Sequence, residues 1–318
     1  MGFMNTTAAA DTLRETYTPG YDSAVVRNNQ LLGLTLGGRP VFPRAQMPGE
    51  YVRWTVNTAG ASPEIFTEGQ GAPSPTGQSY TELYEDAVYF WVWPRISGHL
   101  RDIVRNGGAR PGQNPIEQEF MGGFEDIRDL VTTTFLGSTY GLAHIIDDGN
   151  TVHGVAQGSN TWHQAAVENV NGALARSEFI DILEEQREGN GRASLIIAPN
   201  NQISNYIYLT GEPNAQNSSL RVDVGLQGGG LDLVPSMDTC SVMGIPMVGL
   251  QDVTDDDIYG LDIRNTRFGP NWQLFTAREM DVRGPQMVGD DDVFELSSAY
   301  ALVCRLVQRN FKLEDVSA

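Results

Sequence analysis

The sequence predicts a mixed α+β fold, and three patterns predict it. Strand-like runs lie near both ends of the chain, at 51–57 and 293–313. A single long stretch, 115–136, keeps a helical apolar period instead. A second strand-and-helix unit lies between them, and that order of elements builds layered α+β architecture.

Residues 1–45 mix Thr, Ala, Gly and Pro with a short apolar piece, Leu31–Leu36, and read as an extended arm. YVRWTVN (51–57) then alternates cleanly, with Val52, Trp54 and Val56 on one face and Arg53, Thr55 and Asn57 on the other. The next segment, 58–79, carries Gly60, Pro63, Gly69, Gly71, Pro73, Pro75 and Gly77. It is too long for a tight turn, and a loop of about 20 residues without structure signals function or mobility. One strand is predicted from Tyr80 to Ile96. Val88, Phe90, Val92 and Ile96 share one face, and Ala87, Tyr89, Trp91 and Trp93 the other, so both faces need cover. Pro94 places that end at a sheet edge or a bulge.

The clearest helix runs from Pro115 to about Leu136. Asn114 is its N-cap, Pro115 its first residue and Glu117 the partner in a capping-box-like start. Ile116, Phe120, Phe124, Ile127, Val131 and Phe135 form one apolar stripe, and Gly137 supplies a stop. Gly122-Gly123 in mid-helix costs about 1 kcal/mol per glycine against alanine, so it marks a bend or a close backbone approach. Residues 138–176 are mixed. A second helix opens at Ser177 as N-cap, with Phe179, Ile182, Leu183 and Gln186 on one side and Gly189 after its end. Ala193–Ala198 reads as a buried strand, followed by a Pro-Asn turn and a short helix. A polar, Gly-rich segment fills 211–235. Strands follow in GIPMVGLQDV, IYGLDI and NWQLFTAREMDV, and 293–313 reads as one long final strand. No internal repeat is visible.

The totals narrow the classes. At 318 residues the chain holds one large or two intimately joined domains. No run of about 18 apolar residues exists, which argues against a spanning helix. The N-terminus lacks the basic flank and apolar core of a signal peptide. Gly2 with Thr6 matches a myristoylation pattern, a short match of the kind chance supplies. Cys240 and Cys304 stand far apart and read as small buried apolar residues.

The charge is −19, from 40 acidic against 21 basic residues, and Lys312 is the only lysine. Such a field repels nucleic acid and anionic membranes. An acid-rich, lysine-poor surface suits a high-salt cytoplasm. GC-rich codon usage with an ordinary acidic surface gives the same composition. We take the high-salt reading as the expectation.

Chemistry-bearing constellations are sparse. His144, Asp147, Asp148 and His153 fit no zinc spacing and read better as loop residues. Asp255-Asp256-Asp257 and Asp290-Asp291-Asp292 lack a calcium-loop pattern and read as solvated turns. Gly228-Gly229-Gly230 lacks the Lys-Ser/Thr ending of a phosphate loop, and no GxSxG elbow exists. No catalytic, metal or cofactor residues are therefore assigned. The features that stand out are an arm, a projecting Gly/Pro loop, a striped helix and strands apolar on both faces. A chain that packs largely against its own copies needs such segments. The predicted assembly residues are Trp54, Gly69, Gly71, Pro73, Pro75, Tyr89, Trp91, Trp93, Gly122 and Gly123.

In order and spacing these elements resemble the major capsid protein of tailed double-stranded DNA viruses, the Hong Kong 97-type fold shared with encapsulin shells. YVRWTVN, the loop and YTELYEDAVYFWVWPRIS resemble its extended E-loop and return strand. NPIEQEFMGGFEDIRDLVTTTFLGSTYG resembles its spine helix. SEFIDILEEQREGNGRASLIIAPNNQISNYIYL resembles the second peripheral helix and the entry to the axial domain. GIPMVGLQDV and VFELSSAYALVCRLVQRNFKL are similar to its Gly-φ-Pro strand and its final return strand. The resemblance implies an N-terminal arm (1–45), an E-loop (46–86), a peripheral domain (87–190), an axial domain (191–292) and a return strand (293–318).

It also implies a structural, non-enzymatic role. Pentamers and hexamers would form an icosahedral shell in the host cytoplasm, enclosing double-stranded DNA without sequence specificity, as part of a virion. With the charge, it implies a virus of a halophilic, archaeal host. Separate scaffolding, portal and cement proteins are the implied partners, since 45 residues are too short for a built-in scaffolding domain; no membrane and no cofactor are implied. Some relatives crosslink an E-loop lysine to a neighbour's asparagine, and that nucleophile is missing from 58–79 here. The competing expectations are an encapsulin-like compartment and, in a different class, a soluble acidic metal-dependent hydrolase.

Overall fold

The computed structural model describes residues 42–60, 77–98, 115–137, 139–188, 191–210, 239–250, 253, 256–266 and 269–317. Most of the predicted arm, Asn114, Asp255, Gly228–Gly230 and the loop positions Gly69, Gly71, Pro73 and Pro75 lie outside the described residues. In chain order the elements begin with β1 (Arg44–Gln46), β2 (Tyr51–Ala59), β3 (Ser79–Asp86), β4 (Val88–Val92), β5 (Arg95–Ile96) and α1 (Pro115–Leu136). Next come α2 (Leu142–Ile145), β6 (Thr151–Val152), β7 (Val155–Ala156), β8 (Ala166–Ala173), α3 (Arg176–Glu188), β9 (Leu195–Pro199) and α4 (Asn200–Thr210). The remainder is β10 (Thr239–Val242), β11 (Ile245–Leu250), β12 (Ile258–Leu261), β13 (Asn265–Thr266), β14 (Gly269–Pro270), β15 (Trp272–Val288), β16 (Asp291–Cys304) and β17 (Phe311–Ser317).

Two sheets carry the architecture. One has the order β1-β15-β16-β4, with β5 also on β16; the other has the order β10-β11-β9-β12-β17-β8. The helix α1 lies on the first sheet, and its stripe residues Phe120, Phe124, Ile127, Val131 and Phe135 are all buried. Phe120 meets Phe294 edge-on at 4.8 Å, and Phe135 sits 6.4 Å from Phe90. The same core continues onto one face of the second sheet through Leu195, Ile197, Tyr259 and Leu261. The alternate residues Ile196 and Ala198 enter a second core with Phe179 and Ile182 of α3 and Ile203 of α4. Both faces of β9 are therefore buried, which is why LIIAP is an unbroken apolar run.

The structure corrects three expectations. Tyr80–Ile96 is not one strand: β3 pairs only with β2, while β4 pairs with β16, and Ala87 alone separates β3 from β4. Ser177 is not a cap; it lies inside the first turn of α3, with its hydroxyl on Glu178. The final segment is not one strand either. β16 ends at Cys304 in the first sheet, and β17 runs between β12 and β8 in the second. Buried Asn310 fixes this crossover. Its Oδ1 accepts from the Trp272 indole (2.9 Å) and the Asp262 amide (3.0 Å), while Nδ2 donates to the Val307 carbonyl (3.1 Å). Such a satisfied buried network specifies one chain path. β15 lies in the sheet under α1, while β8 and α3 join the second sheet and its core.

Candidate assembly surface

The β2–β3 hairpin leaves the body where Val52 is buried with Phe275, Ala301 and Val303. Its alternation is as the sequence predicts, with Val52 buried and Arg53, Thr55 and Asn57 exposed. A second, smaller hairpin, β6–β7, grips its other side. Val152 pairs with Val155 across a two-residue turn, and the turn residues His153 and Gly154 both have positive φ, 52° and 81°. A type I′ turn requires that geometry, and glycine is the residue that adopts it without cost. A Cβ on Gly154 would lie 2.4 Å from the Tyr84 ring of β3, so the same glycine also admits the hairpin.

His153 is the centre of this junction. Its Nδ1 is 2.7 Å from Glu85 Oε2, its carbonyl accepts the Tyr84 amide at 3.2 Å, and its Nε2 lies 3.4 Å from the Cys304 amide. A backbone N–H can only donate, so Nε2 is the acceptor and the proton sits on Nδ1, donated to Glu85. The Trp54 indole packs edge-on to the imidazole at 4.8 Å. Behind it, His163 donates to the Val152 carbonyl (3.2 Å). Burial, then the neighbouring His153, lowers the His163 pKa from 6.5 to about 4, opposed by that hydrogen bond.

Next to the junction, β4 turns Phe90 inward, 2% exposed, and Tyr89, Trp91 and Trp93 outward, at 49%, 44% and 62%. The Tyr89 and Trp91 rings stack 5.6 Å apart. A pocket of about 580 Å³ opens between this strand, the hairpin base and the α1–α2 turn. Its walls include Tyr84, Tyr89, Trp91 and Tyr140, with Glu85, Asp86, His144 and His153; among the described residues no lysine or arginine lines it.

Among the described residues, the predicted assembly positions do not all lie open. Tyr89, Trp91 and Trp93 form one open face. Trp54 instead packs within its own chain, and Gly123 is buried, where a Cβ would come 2.8 Å from Pro94 Cγ and 3.0 Å from Leu296 Cδ1. Gly122 meets nothing within 4 Å. What approaches Gly123 closely is thus a pair of side chains, Pro94 and Leu296, rather than the expected backbone.

Several of the candidate metal residues are engaged locally. Asp147 Oδ1 accepts the amides of Asp148 (2.7 Å) and Gly149 (3.0 Å), and His144 Nε2 meets the Thr151 carbonyl at 3.1 Å. Asp257 accepts the Tyr259 hydroxyl at 2.8 Å, and Asp291 pairs with Arg95. Among the described residues no three His, Cys, Asp or Glu side chains are gathered as for a metal ion. Lys312 is buried on β17, 2.9 Å from Glu314 and 3.7 Å from Asp257. Burial pulls its pKa down, but the Glu314 hydrogen bond and the surrounding carboxylates more than offset this, so the net shift is upward. Burial pushes the Cys304 thiol well up, against the opposing Asn310 bond, so it is inert. Sequence reasoning missed the His153 junction; its signal was the pair of valines flanking His-Gly in VHGV.

No family model matches the chain, and no curated protein matches it in sequence. Solved structures do. The chain is similar to the capsid asymmetric unit of cyanophage A-1(L), with TM-score 0.67 and 14% identity, covering 91% of this chain and 93% of that one. It is similar to Mycobacterium phage Bobi, with TM-score 0.57 and 10% identity over all of both chains. It is also similar to the holo-SrpI encapsulin complex from Synechococcus elongatus PCC 7942, with TM-score 0.54 and 13% identity over 87% and 85%. The class is settled by these matches: the chain has the Hong Kong 97-type capsid fold.

Proposed function

We propose that copies of this chain assemble, as pentamers and hexamers, into the icosahedral shell of a tailed virus around double-stranded DNA. The observation that carries this is the end-to-end match to a capsid subunit, 91% of one chain and 93% of the other. The open Tyr89/Trp91/Trp93 face supports it, because large aromatics left uncovered in one subunit are characteristic of interfaces. We assign the β15–β16 sheet with α1 to the peripheral domain and the β9–β12 sheet with α3 and α4 to the axial domain. The projecting β2–β3 hairpin is the E-loop. The role is structural and has no catalytic step. An acidic shell holds DNA by enclosure rather than by affinity. The lysine-poor composition supports a high-salt host.

An encapsulin-like compartment is the second reading, favoured by the match to the SrpI complex. Electron microscopy of the expressed protein, followed by nuclease treatment and analysis of the contents, tests both. Closed particles protecting DNA in the virus-infected host support the first reading. Particles filled with a cargo enzyme support the second. A stable monomer in molar salt would refute both.

A further inference from the structure

The pocket beside the hairpin base has a chemistry of its own. Tyr84, Tyr89, Trp91 and Tyr140 present aromatic surface around it, and each is more than two-fifths exposed. Two acidic residues are among its lining: Glu85 is held by His153 at 2.7 Å, while Asp86 is exposed at the strand end. Among the described residues no lysine or arginine lines the pocket. Aromatic faces beside an exposed carboxylate suit a guanidinium, which stacks on a ring and bonds a carboxylate together. The chain already uses this pairing, with the Arg53 guanidinium 4.2 Å over the Tyr51 ring.

The occupant follows from the charge balance. A chain of net charge −19 that meets its own copies lowers their mutual repulsion by placing cations at the seams, and 20 of its 21 basic residues are arginines. We propose that this pocket receives an arginine side chain from a second copy of the chain, stacked on the Tyr89/Trp91 side and bonded to Asp86. The proposal rests on the shell reading and adds its site of recognition.

The test uses the full chain. Asp86→Asn removes the charge, Tyr140→Ala opens the aromatic wall, and Glu184→Gln on exposed α3 makes the same charge change elsewhere. Unfolding midpoints establish that each variant folds. The subunit concentration needed for assembly, read by light scattering, should rise about tenfold for Asp86→Asn and for Tyr140→Ala, as a cation–π contact with a partly desolvated ion pair warrants, and should not rise for Glu184→Gln. A cryo-electron microscopy map of the wild-type particle should place a neighbour's guanidinium against Asp86. Particles with the pocket empty, or filled by the same chain or another protein, overturn this proposal and leave the shell reading intact. Unchanged assembly of both folded pocket variants also overturns it. If the wild type forms no particles, the shell reading fails first.

Discussion

Replacing either glycine of the α1 pair with alanine should give opposite results, because only one of them touches the sheet. Alanine is better than glycine in a helix interior by about 0.8–1 kcal/mol. At Gly122 nothing lies within 4 Å of a built Cβ, so Gly122→Ala should collect that gain. At Gly123 the Cβ would stand 2.8 Å from Pro94 Cγ, well inside the roughly 3.5–4.0 Å of an ordinary carbon contact. The proline ring is rigid, and Leu296, the other neighbour, is fully buried, so neither can swing aside. Overpacking of this kind costs about 1–3 kcal/mol, which cancels or exceeds the helical gain. Gly123→Ala should therefore be less stable than Gly122→Ala by about 1–3 kcal/mol. Denaturant unfolding of the unassembled subunit measures the difference. Pro94→Ala removes the clashing ring atoms and should recover part of the loss in a double-mutant cycle. Equal gains from both alanines would refute the close approach of α1 to the β4–β5 corner.

Four further outcomes are expected. His163 is neutral when folded down to about pH 4 but titrates near 6.5 when unfolded, so the stability it contributes is full above 6.5 and falls as pH drops towards 4, by about 3 kcal/mol in all; His163→Gln should flatten the acid limb of the unfolding midpoint relative to wild type, and identical limbs would refute the assignment. Gly154→Ala combines a left-handed backbone with the Tyr84 collision and should cost about 2 kcal/mol, part of it returned by Tyr84→Ala in thermal unfolding. Particles boiled in SDS should run as single subunits, because the only lysine is a buried, charged partner of Glu314; a covalent ladder would contradict this. Particles should hold in molar salt, where screening acts within about 3 Å, and loosen on dialysis into low-salt, metal-free buffer; intact particles there would count against the high-salt reading.

The sequence alone determined the elements whose signal is local. The spacing of Phe120, Phe124, Ile127, Val131 and Phe135 defined α1 to within its observed limits, because a helix repeats its buried face every 3.6 residues and these five residues are all buried. The alternation in 51–57 likewise defined β2, and the order of elements pointed to the fold. Tertiary structure decided the rest, because it depends on partners distant in sequence. An apolar run cannot say which sheet it serves: Tyr84 and Phe90 belong to one unbroken pattern yet pair with different strands, and the chain leaves one sheet for the other at a buried Asn310 that looks polar and unremarked in sequence. The same holds for the surface. Trp54 and Trp91 are alike as letters, but one packs against His153 and the other faces outward. Only the folded backbone brings Glu85 and His153, 68 positions apart, to 2.7 Å. Burial is a property of what packs against a side chain, and that is settled between elements rather than within them.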